Sequence, residues 1–387
     1  MPVFHGLYCV LTLWYLLVIF YFLRGFLSLR PASRAYGNSF SVVIAARNEE
    51  ENIRACLLSV LQQSINSDRY EVIVVDDRST DSTAAVVSEL MKEFPTLRLV
   101  SVEKTPHGLS PKKYAVSRGV HYAKNTIVAF TDADCIVPSG WLQTLDRHFS
   151  PDIGLVQGIT FYRYVTGINT VFFMLQSIDF LSHGIVAAAA IGAGLPLNSN
   201  ANNFSFRMTA FKEAGGVLDG IGHVVSGDDD LLLQKVWRTR LWKISYMIES
   251  SGAVTTMPTR TFSAAFQQRA RWGSKTVHYN PLQVTVLSGI FLFYTALMGT
   301  MTATLFFHHL FPYAILLFGI KLAGESLLMI PGLIAFGKKR FIPLLPVASV
   351  IQLPLVIAAV ITGIFWKFNW KGQTFSRTIK RKNEECI

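Results

Sequence analysis

The chain has 387 residues, of which 51% are hydrophobic and 16% charged, and 36 Lys and Arg against 25 Asp and Glu give a net charge of +11. An ordinary soluble domain carries about 25% charge, so this balance, with a mean hydropathy of +0.35, excludes a disordered chain and argues against a wholly soluble enzyme. The length suggests two or three domains, part of it in lipid.

Four segments account for the apolar excess. Gly6 to Leu23 (GLYCVLTLWYLLVIFYFL), Leu282 to Phe307 and Phe341 to Trp366 hold no charge, and Leu310 to Phe336 holds only Lys321 and Glu325. A helix needs about 20 apolar residues to cross a bilayer, and buried helices of globular proteins rarely run so long without a polar face. All four are therefore predicted to enter a membrane. The first is preceded by MPVFH, which lacks the basic start of a signal peptide, and is followed by Arg24, Arg30 and Arg34. Positive flanks favour the cytoplasm, so it reads as an uncleaved anchor with its C-terminal end there. The GKKR loop at 337–340 fits the same side. If the last three segments all span, the tail with Lys367, Lys371, Arg377, Lys380, Arg381 and Lys382 ends outside, against that rule; Pro343, Pro346 and Pro354 make the last segment a candidate for a re-entrant or broken helix. Lys321 and Glu325 share one helix face, either as a functional pair or as a satisfied structural one.

Between the anchor and the second segment lie about 250 residues of ordinary polarity, enough for one soluble domain with a full core. Cys9, Cys56, Cys135 and Cys386 are scattered and form no CxxC pair, which argues against a disulfide framework or zinc site and suits a reducing cytoplasm. Ser39 to Ala46 (SFSVVIAA) reads as a buried strand. A helix follows, with Ile53, Leu57, Leu58, Val60 and Leu61 at its spacing. YEVIVVDD at 70–77 is a second strand, and Ser79, Thr80 and Asp81 can cap the next helix. Arg98 to Val102 is a third strand, Lys112 to Ala123 a helix, and Asn125 to Phe130 a fourth strand ending at TDAD. Such alternation predicts a parallel sheet covered by helices, with ligands bound beyond the C-terminal strand ends.

Three polar clusters fall at those ends. Arg47-Asn48-Glu49 follows the first strand. Asp76-Asp77 follows the second, where carboxylates can accept hydrogen bonds from a base or a ribose; helix capping explains Ser79 or Asp81 but not this pair. Asp132-Ala133-Asp134 follows the fourth. In an extended segment its two carboxylates share a side and can hold one divalent ion, with phosphate oxygens and water completing an octahedron. Further on, Gly227-Asp228-Asp229-Asp230 precedes LLLQKV. The acids either cap a helix, whose dipole favours them there, or supply a general base. Gln267-Gln268-Arg269-Ala270-Arg271-Trp272 sits at helical spacing with Phe262, Ala265 and Phe266. Arg269 and Arg271 can meet a diphosphate or lipid headgroups, and Trp272 can stack on a sugar or lie in the membrane interface.

Taken in order, these motifs resemble the membrane-bound branch of the family 2 glycosyltransferases, which includes cellulose, chitin and hyaluronan synthases and ceramide glucosyltransferase. The family pattern of an Asp, a DxD, an acidic pair and (Q/R)xxRW is met by Asp76-Asp77, Asp132-Ala133-Asp134, Gly227-Asp228-Asp229 and Gln268-Arg269-Ala270-Arg271-Trp272, over about residues 39–275. The resemblance implies an α/β fold of the A type, a Rossmann-like mostly parallel sheet, plus transmembrane helices. It implies an anchor over 1–30, a cytoplasmic glycosyltransferase domain over 31–259, interfacial helices over 260–280 and C-terminal spans with a basic tail over 281–387. Asp76 or Asp77 would bind the base and ribose beside Arg47, Asn48 and Glu49. Lys112 would sit near the diphosphate, Asp132 would touch the ribose, sugar or metal, and Asp134 would hold Mg²⁺ or Mn²⁺. Asn203 and Arg207 would lie on the acceptor side, and Gln268, Arg271 and Trp272 would close over the diphosphate and acceptor. Where the family has Glu-Asp this chain has Gly227 and three Asp, so alignment on the leucines makes Asp228 the base and alignment on the acidic pair makes it Asp229.

The implied activity is inverting transfer of a sugar from a nucleotide sugar, by default UDP-linked, to a membrane lipid or lipid-linked acceptor at the plasma membrane. The alternative is a processive polysaccharide synthase acting on a saccharide acceptor. The positive charge clusters beside apolar segments, where it suits anionic lipids, and no nucleic-acid motif accompanies it.

Overall fold

The computed structural model describes residues 2–224, 226–366, 368–370 and 373–375, so Cys386 and the tail's Lys367, Lys371, Arg377, Lys380, Arg381 and Lys382 lie outside the described residues. The chain divides into two compact units.

One unit gathers Arg30–Val165 and Asn198–Pro258. Its centre is a sheet of β1 (Phe40–Ala46), β2 (Tyr70–Asp76), β3 (Leu97–Ser101), β4 (Ile127–Phe130), β5 (Ile153–Gly158), β7 (Phe204–Arg207) and β8 (Lys243–Met247), in the order β3-β2-β1-β4-β7-β5-β8. β7 runs antiparallel to both its neighbours, β4 and β5; the other pairs are parallel. Two short strands, β6 (Thr160–Tyr162) and β9 (Val254–Thr256), pair separately. The central strands are apolar on both faces because both are covered. Val42, Ile44, Val72 and Val74 face α2 (Ile53–Leu61) and α5 (Trp141–His148). Val43, Ile73 and Val75 face α4 (Pro111–Tyr122) and α8 (Asp230–Thr239). The intervening helices are α3 (Thr83–Leu90) and α7 (Met208–Glu213). The predicted parallel α/β sheet is thus present, with strand and helix bounds within about two residues.

The other unit comprises Met1–Leu29, Thr166–Leu197 and Thr259–Gly372. It holds α1 (Pro2–Ser28), α6 (Thr170–Gly192), α9 (Phe262–Gly273), α10 (Pro281–Ala303), α11 (Phe311–Ala335) and α12 (Leu345–Phe365). Among the described residues five helical segments are long and apolar enough to cross a membrane: the four expected from the sequence and Thr170–Gly192. This fifth interrupts the stretch that the sequence reads as a continuous soluble domain over 31–259. It is less conspicuous there because Gln176, Asp179 and His183 break its apolar run.

Sheet continuity constrains α6. It lies between β6 and β7, and β7 is bonded between β4 and β5. A bilayer cannot separate hydrogen-bonded strands, because its core offers unpaired backbone groups no partner. Both ends of α6 therefore lie on the same side of the membrane. Its C-terminal end meets that of α1: Tyr21 donates to the Ala193 carbonyl at 2.6 Å and Ser28 to Gly192 at 3.3 Å. A Cβ on Gly25 or Gly192 would collide with the facing backbone, so glycines permit the approach.

Inside the bundle, Lys321 is fully buried. Its ammonium donates to Glu325 Oε1 at 2.6 Å, to Ser349 Oγ at 2.7 Å and to Gln352 Oε1 at 3.2 Å. Glu325 also accepts from Tyr294 and from Ser349, both at 2.6 Å. The charged pair thus joins α10, α11 and α12 as a satisfied network, and Tyr15 of α1 closes it on the Lys321 carbonyl at 3.0 Å.

Two predictions follow from this architecture. Tyr164→Cys and Lys212→Cys, both at exposed positions flanking α6, should react with a membrane-impermeant maleimide from the same side of sealed vesicles; labelling from opposite sides would make α6 a span. Lys321→Met should leave the partly buried Glu325 without its cation and lower thermal stability in detergent, by about 3 kcal/mol. Adding Glu325→Gln should recover part of that loss.

Candidate active site

The parallel strands β1, β2 and β4 end at one edge of the sheet, with Ala46 level with Asp76 and Val43 level with Phe130. The first two loops beyond it are stitched together. Asn48 and Arg78 adopt left-handed backbone (φ 53° and 59°). The Asn48 amide donates to Ser79 Oγ at 3.1 Å and its side-chain oxygen accepts from Thr80 N at 2.9 Å. The Glu49 amide donates to Thr83 Oγ1 at 2.8 Å. Asp81, rather than Ser79, serves the start of α3 by accepting from the Thr83 amide at 3.0 Å and hydroxyl at 2.6 Å. Asp76 and Asp77 are buried; Asp76 accepts from the Ser79 amide at 3.2 Å, and Asp77 pairs with Arg78 at 2.9 Å.

The DxD element is a turn, not the extended segment expected. The Cys135 amide donates to the Asp132 carbonyl at 3.1 Å and closes it over 132–135. Ala133 and Cys135 point into the core, while Asp132 and Asp134 remain partly exposed. Burial, then the charges of Asp132 and Glu49, push the Asp134 carboxyl up to about 6.

Lys112, in the first turn of α4, reaches Asp132 Oδ1 at 2.9 Å and Asp228 Oδ2 at 3.5 Å. Burial alone would lower its pKa, but the charges of Asp132, Asp228 and Asp229 outweigh it and raise it. Lys112, Thr131, Asp132, Asp228 and Asp229 line one cavity, floored by Phe130, Phe204 and Phe206. Gly227 (φ 79°) lets the chain turn so that Asp228 and Asp229 precede α8. Asp230 is fully buried and bonded to the Ser199 amide. Asp228 and Asp229 thus line the cavity, Asp230 holds the loop at Ser199, and Asp229 stands at the N-cap of α8 without a side-chain capping bond.

Two expected acceptor-side residues behave differently. Asn203 is buried: it donates to the carbonyls of Ile159 (2.9 Å) and Gly252 (2.8 Å) and accepts from Trp141 Nε1 (3.0 Å). Its amide is used within the unit. Arg207 pairs with Ile127, the first residue of β4, whereas the DxD turn follows the last. Its guanidinium donates to the carbonyls of Ile153 (3.1 Å) and Ser150 (2.9 Å). The antiparallel direction of β7 carries Arg207 to the end of the sheet opposite the acids.

Gln268, Arg271 and Trp272 lie on α9, in the helical unit. Arg269, expected to meet a diphosphate or headgroups, is instead buried in an ion pair with Asp179 of α6, stacks over Trp272 at 4.4 Å and donates to Gln268 at 2.5 Å. Trp272 meets His183 edge-on at 5.1 Å. Asp179, the partner that fixes Arg269, carries no signal for that role in the sequence, being distant from it and set within an apolar run.

The donor set fits a divalent ion that takes the rest of its ligands from substrate and water. Among the described residues no three His, Cys, Asp or Glu side chains converge as a cage. The turn supplies two carboxylates, and burial together with the charges of Asp132 and Glu49 raises the Asp134 carboxyl, which a cation would relieve. Hard ions of the Mg²⁺ type are commonly held by one or two carboxylates plus substrate phosphates, which matches this set.

Comparison with known proteins agrees with this geometry. The model for glycosyl transferase family 2 matches residues 41–177, and that for glycosyl transferase family group 2 matches residues 127–360. The chain is 32% identical over 117 residues to a beta-monoglucosyldiacylglycerol synthase of Synechocystis, covering 30% of this chain and 24% of that protein. It is 24% identical over 284 residues to a poly-beta-1,6-N-acetyl-D-glucosamine synthase of Staphylococcus epidermidis, covering 70% and 62%. Over 129 residues it is 31% identical to glycosyltransferase AglE of Haloferax volcanii, covering 33% and 41%. The matches thus span about a quarter to three fifths of these relatives' lengths. A mannosyltransferase from Pyrobaculum calidifontis, solved with GDP-Man and Mn²⁺, shares the fold with a TM-score of 0.56 at 18% identity, covering 90% of this chain and 98% of that one. The sheet, the acids at its edge and a family match across more than half the chain lead to one assignment: the protein belongs to the family 2 glycosyltransferases, with an A-type fold and helices long and apolar enough to cross a membrane.

Proposed function

We propose that the protein is an inverting transferase that moves one sugar from a nucleotide sugar, UDP-linked by default, to a membrane lipid or lipid-linked acceptor. The observation that carries this reading is the meeting of Asp132, from the end of β4, and Asp228, from the start of α8, on the Lys112 ammonium. A donor's negative diphosphate and an acceptor's hydroxyl need opposite partners, a cation and a base, within a few ångströms of one anomeric carbon. This cluster supplies both. The same cavity rim holds Asp229.

In this reading Asp76, Asp77, Arg47, Asn48 and Glu49 border the base and ribose, and Lys112 meets the diphosphate. Asp132 and Asp134 hold Mg²⁺ or Mn²⁺, which when bound neutralises charge on the departing diphosphate. Asp228 is the base: it is partly exposed, whereas Asp229 is buried. It takes the proton of the acceptor hydroxyl, whose oxygen attacks the anomeric carbon from the face opposite the leaving group. The configuration inverts in one displacement, without a covalent sugar–enzyme intermediate. Gln268, Arg271 and Trp272 serve the acceptor side. The catalytic unit lies in the cytoplasm, where Arg24, Arg30 and Arg34 meet anionic lipids.

A processive synthase is the second reading, favoured by the length of the match to the S. epidermidis polymer synthase. Against it, the charged pair of α11 is consumed in helix packing through Ser349, Gln352 and Tyr294. Nanodisc preparations given UDP- and GDP-sugars with Mg²⁺ or Mn²⁺ should yield a single-sugar lipid by mass spectrometry; a ladder of longer products establishes the processive reading. Asp134→Ala and Asp228→Ala should each lower turnover by at least about 10³-fold while the protein still inserts. Full activity in both refutes the site. Lys112→Ala should leave Asp132 and Asp228 without their shared cation, lowering kcat/KM by about 10²-fold, with partial recovery in Lys112→Arg.

A further inference from the structure

The DxD turn is braced by side chains outside every motif considered above. Cys135 directly follows it and is fully buried. Its thiol donates to Asp134 Oδ1 at 3.5 Å, and its sulfur accepts from Asn202 Nδ2 at 3.0 Å. Asn202 is itself fixed, its amide N–H donating to Asn200 Oδ1 at 3.1 Å. The Thr256 hydroxyl also favours the ionised form of Asp134. Its strand is tied to the turn where Ile136 bridges Thr255. The other carboxylate-bearing residue is held similarly, since the buried thiol of Cys56 donates to the Asp132 carbonyl at 3.5 Å.

We propose that Cys135 is a positioning residue for the divalent ion: polarised by Asn202, its thiol holds the Asp134 carboxylate in the orientation that receives the metal. The proposal rests on the reading of Asp134 as a metal ligand. A thiol is a weak donor to a neutral acceptor, but here the acceptor is a carboxylate, and an N–H donated to the sulfur strengthens the hydrogen bond that the thiol donates in turn. The chain has one direction. Asn202 Nδ2 can only donate, so the sulfur accepts there, and its single hydrogen is left for Asp134. Partners that orient a metal-binding carboxylate contribute about 10- to 100-fold in affinity, and the weakness of the thiol places this one near the lower end. Serine is a partial substitute, because its shorter bond to Cβ cannot keep both partners at their present distances.

The test reads metal binding without turnover. The full chain in nanodiscs is titrated with Mn²⁺ in the presence of UDP, and free Mn²⁺ is followed by electron paramagnetic resonance. Cys135→Ala should weaken Mn²⁺ binding about tenfold. Cys135→Ser should recover most of that loss, and Asn202→Ala should weaken binding in the same direction without adding to Cys135→Ala. Equal affinity, within about twofold, of wild type and Cys135→Ala overturns the proposal while leaving the metal reading of Asp134 intact. Should Cys135→Ala fail to fold, Asn202→Ala decides the matter by the same criterion. If wild type binds no Mn²⁺ with either UDP or GDP, the metal reading falls and the proposal with it.

Discussion

The arrangement turns on the ammonium of Lys112. One edge of the sheet gathers Glu49, Asp76, Asp77, Asp132 and Asp134, and the start of α8 adds Asp228 and Asp229. Two carboxylates about 4 Å apart repel by about 4 kcal/mol at the effective dielectric of a protein surface. A cluster of this kind needs compensation. Lys112 supplies it where strand and helix meet, and Arg78 does so for Asp77. At Asp134, burial first and then the charges of Asp132 and Glu49 raise the pKa of the carboxyl. A chain with net charge +11 thus builds a locally negative site.

Much of this could be read from the sequence, for an identifiable reason. β1, β2 and β4 are short, apolar and buried on both faces, so they stand out as unbroken runs, and each hands its polar residues to the same edge because parallel strands end together. Where the direction of a strand changes, sequence reasoning loses its footing. β7 is antiparallel, so Arg207, only four residues from Asn203, lies at the far end of the sheet. Nothing in NNFSFR announces that reversal. The turn at 132–135 escapes for a similar reason: its closing hydrogen bond joins backbone atoms, and the residues involved are equally compatible with extended chain.

Helix α6 shows the converse limit. Its polar residues make it look like part of a soluble domain, although its length and apolar character equal those of a span. Hydropathy therefore cannot decide whether it crosses a membrane. The pairing of β7 with β4 and β5 does, because strands on either side of the helix belong to one sheet. Tertiary hydrogen bonding thereby limits topology in a way that composition does not.

The same reasoning separates the two arginines of the Gln/Arg/Trp motif. Residues two apart on a helix are rotated by roughly 200°, so Arg269 and Arg271 cannot face the same partner. Residues three apart nearly coincide, and Trp272 accordingly stacks on Arg269. Asp179 takes the Arg269 guanidinium, which is 7% exposed. With its charge paired there, Arg269 fixes the tryptophan and the helix face. Arg271, half-buried on another face, is the arginine of the motif whose direction differs from that of the structural pair. A motif written as letters treats its two arginines alike; helix geometry separates them and gives Arg269 to packing.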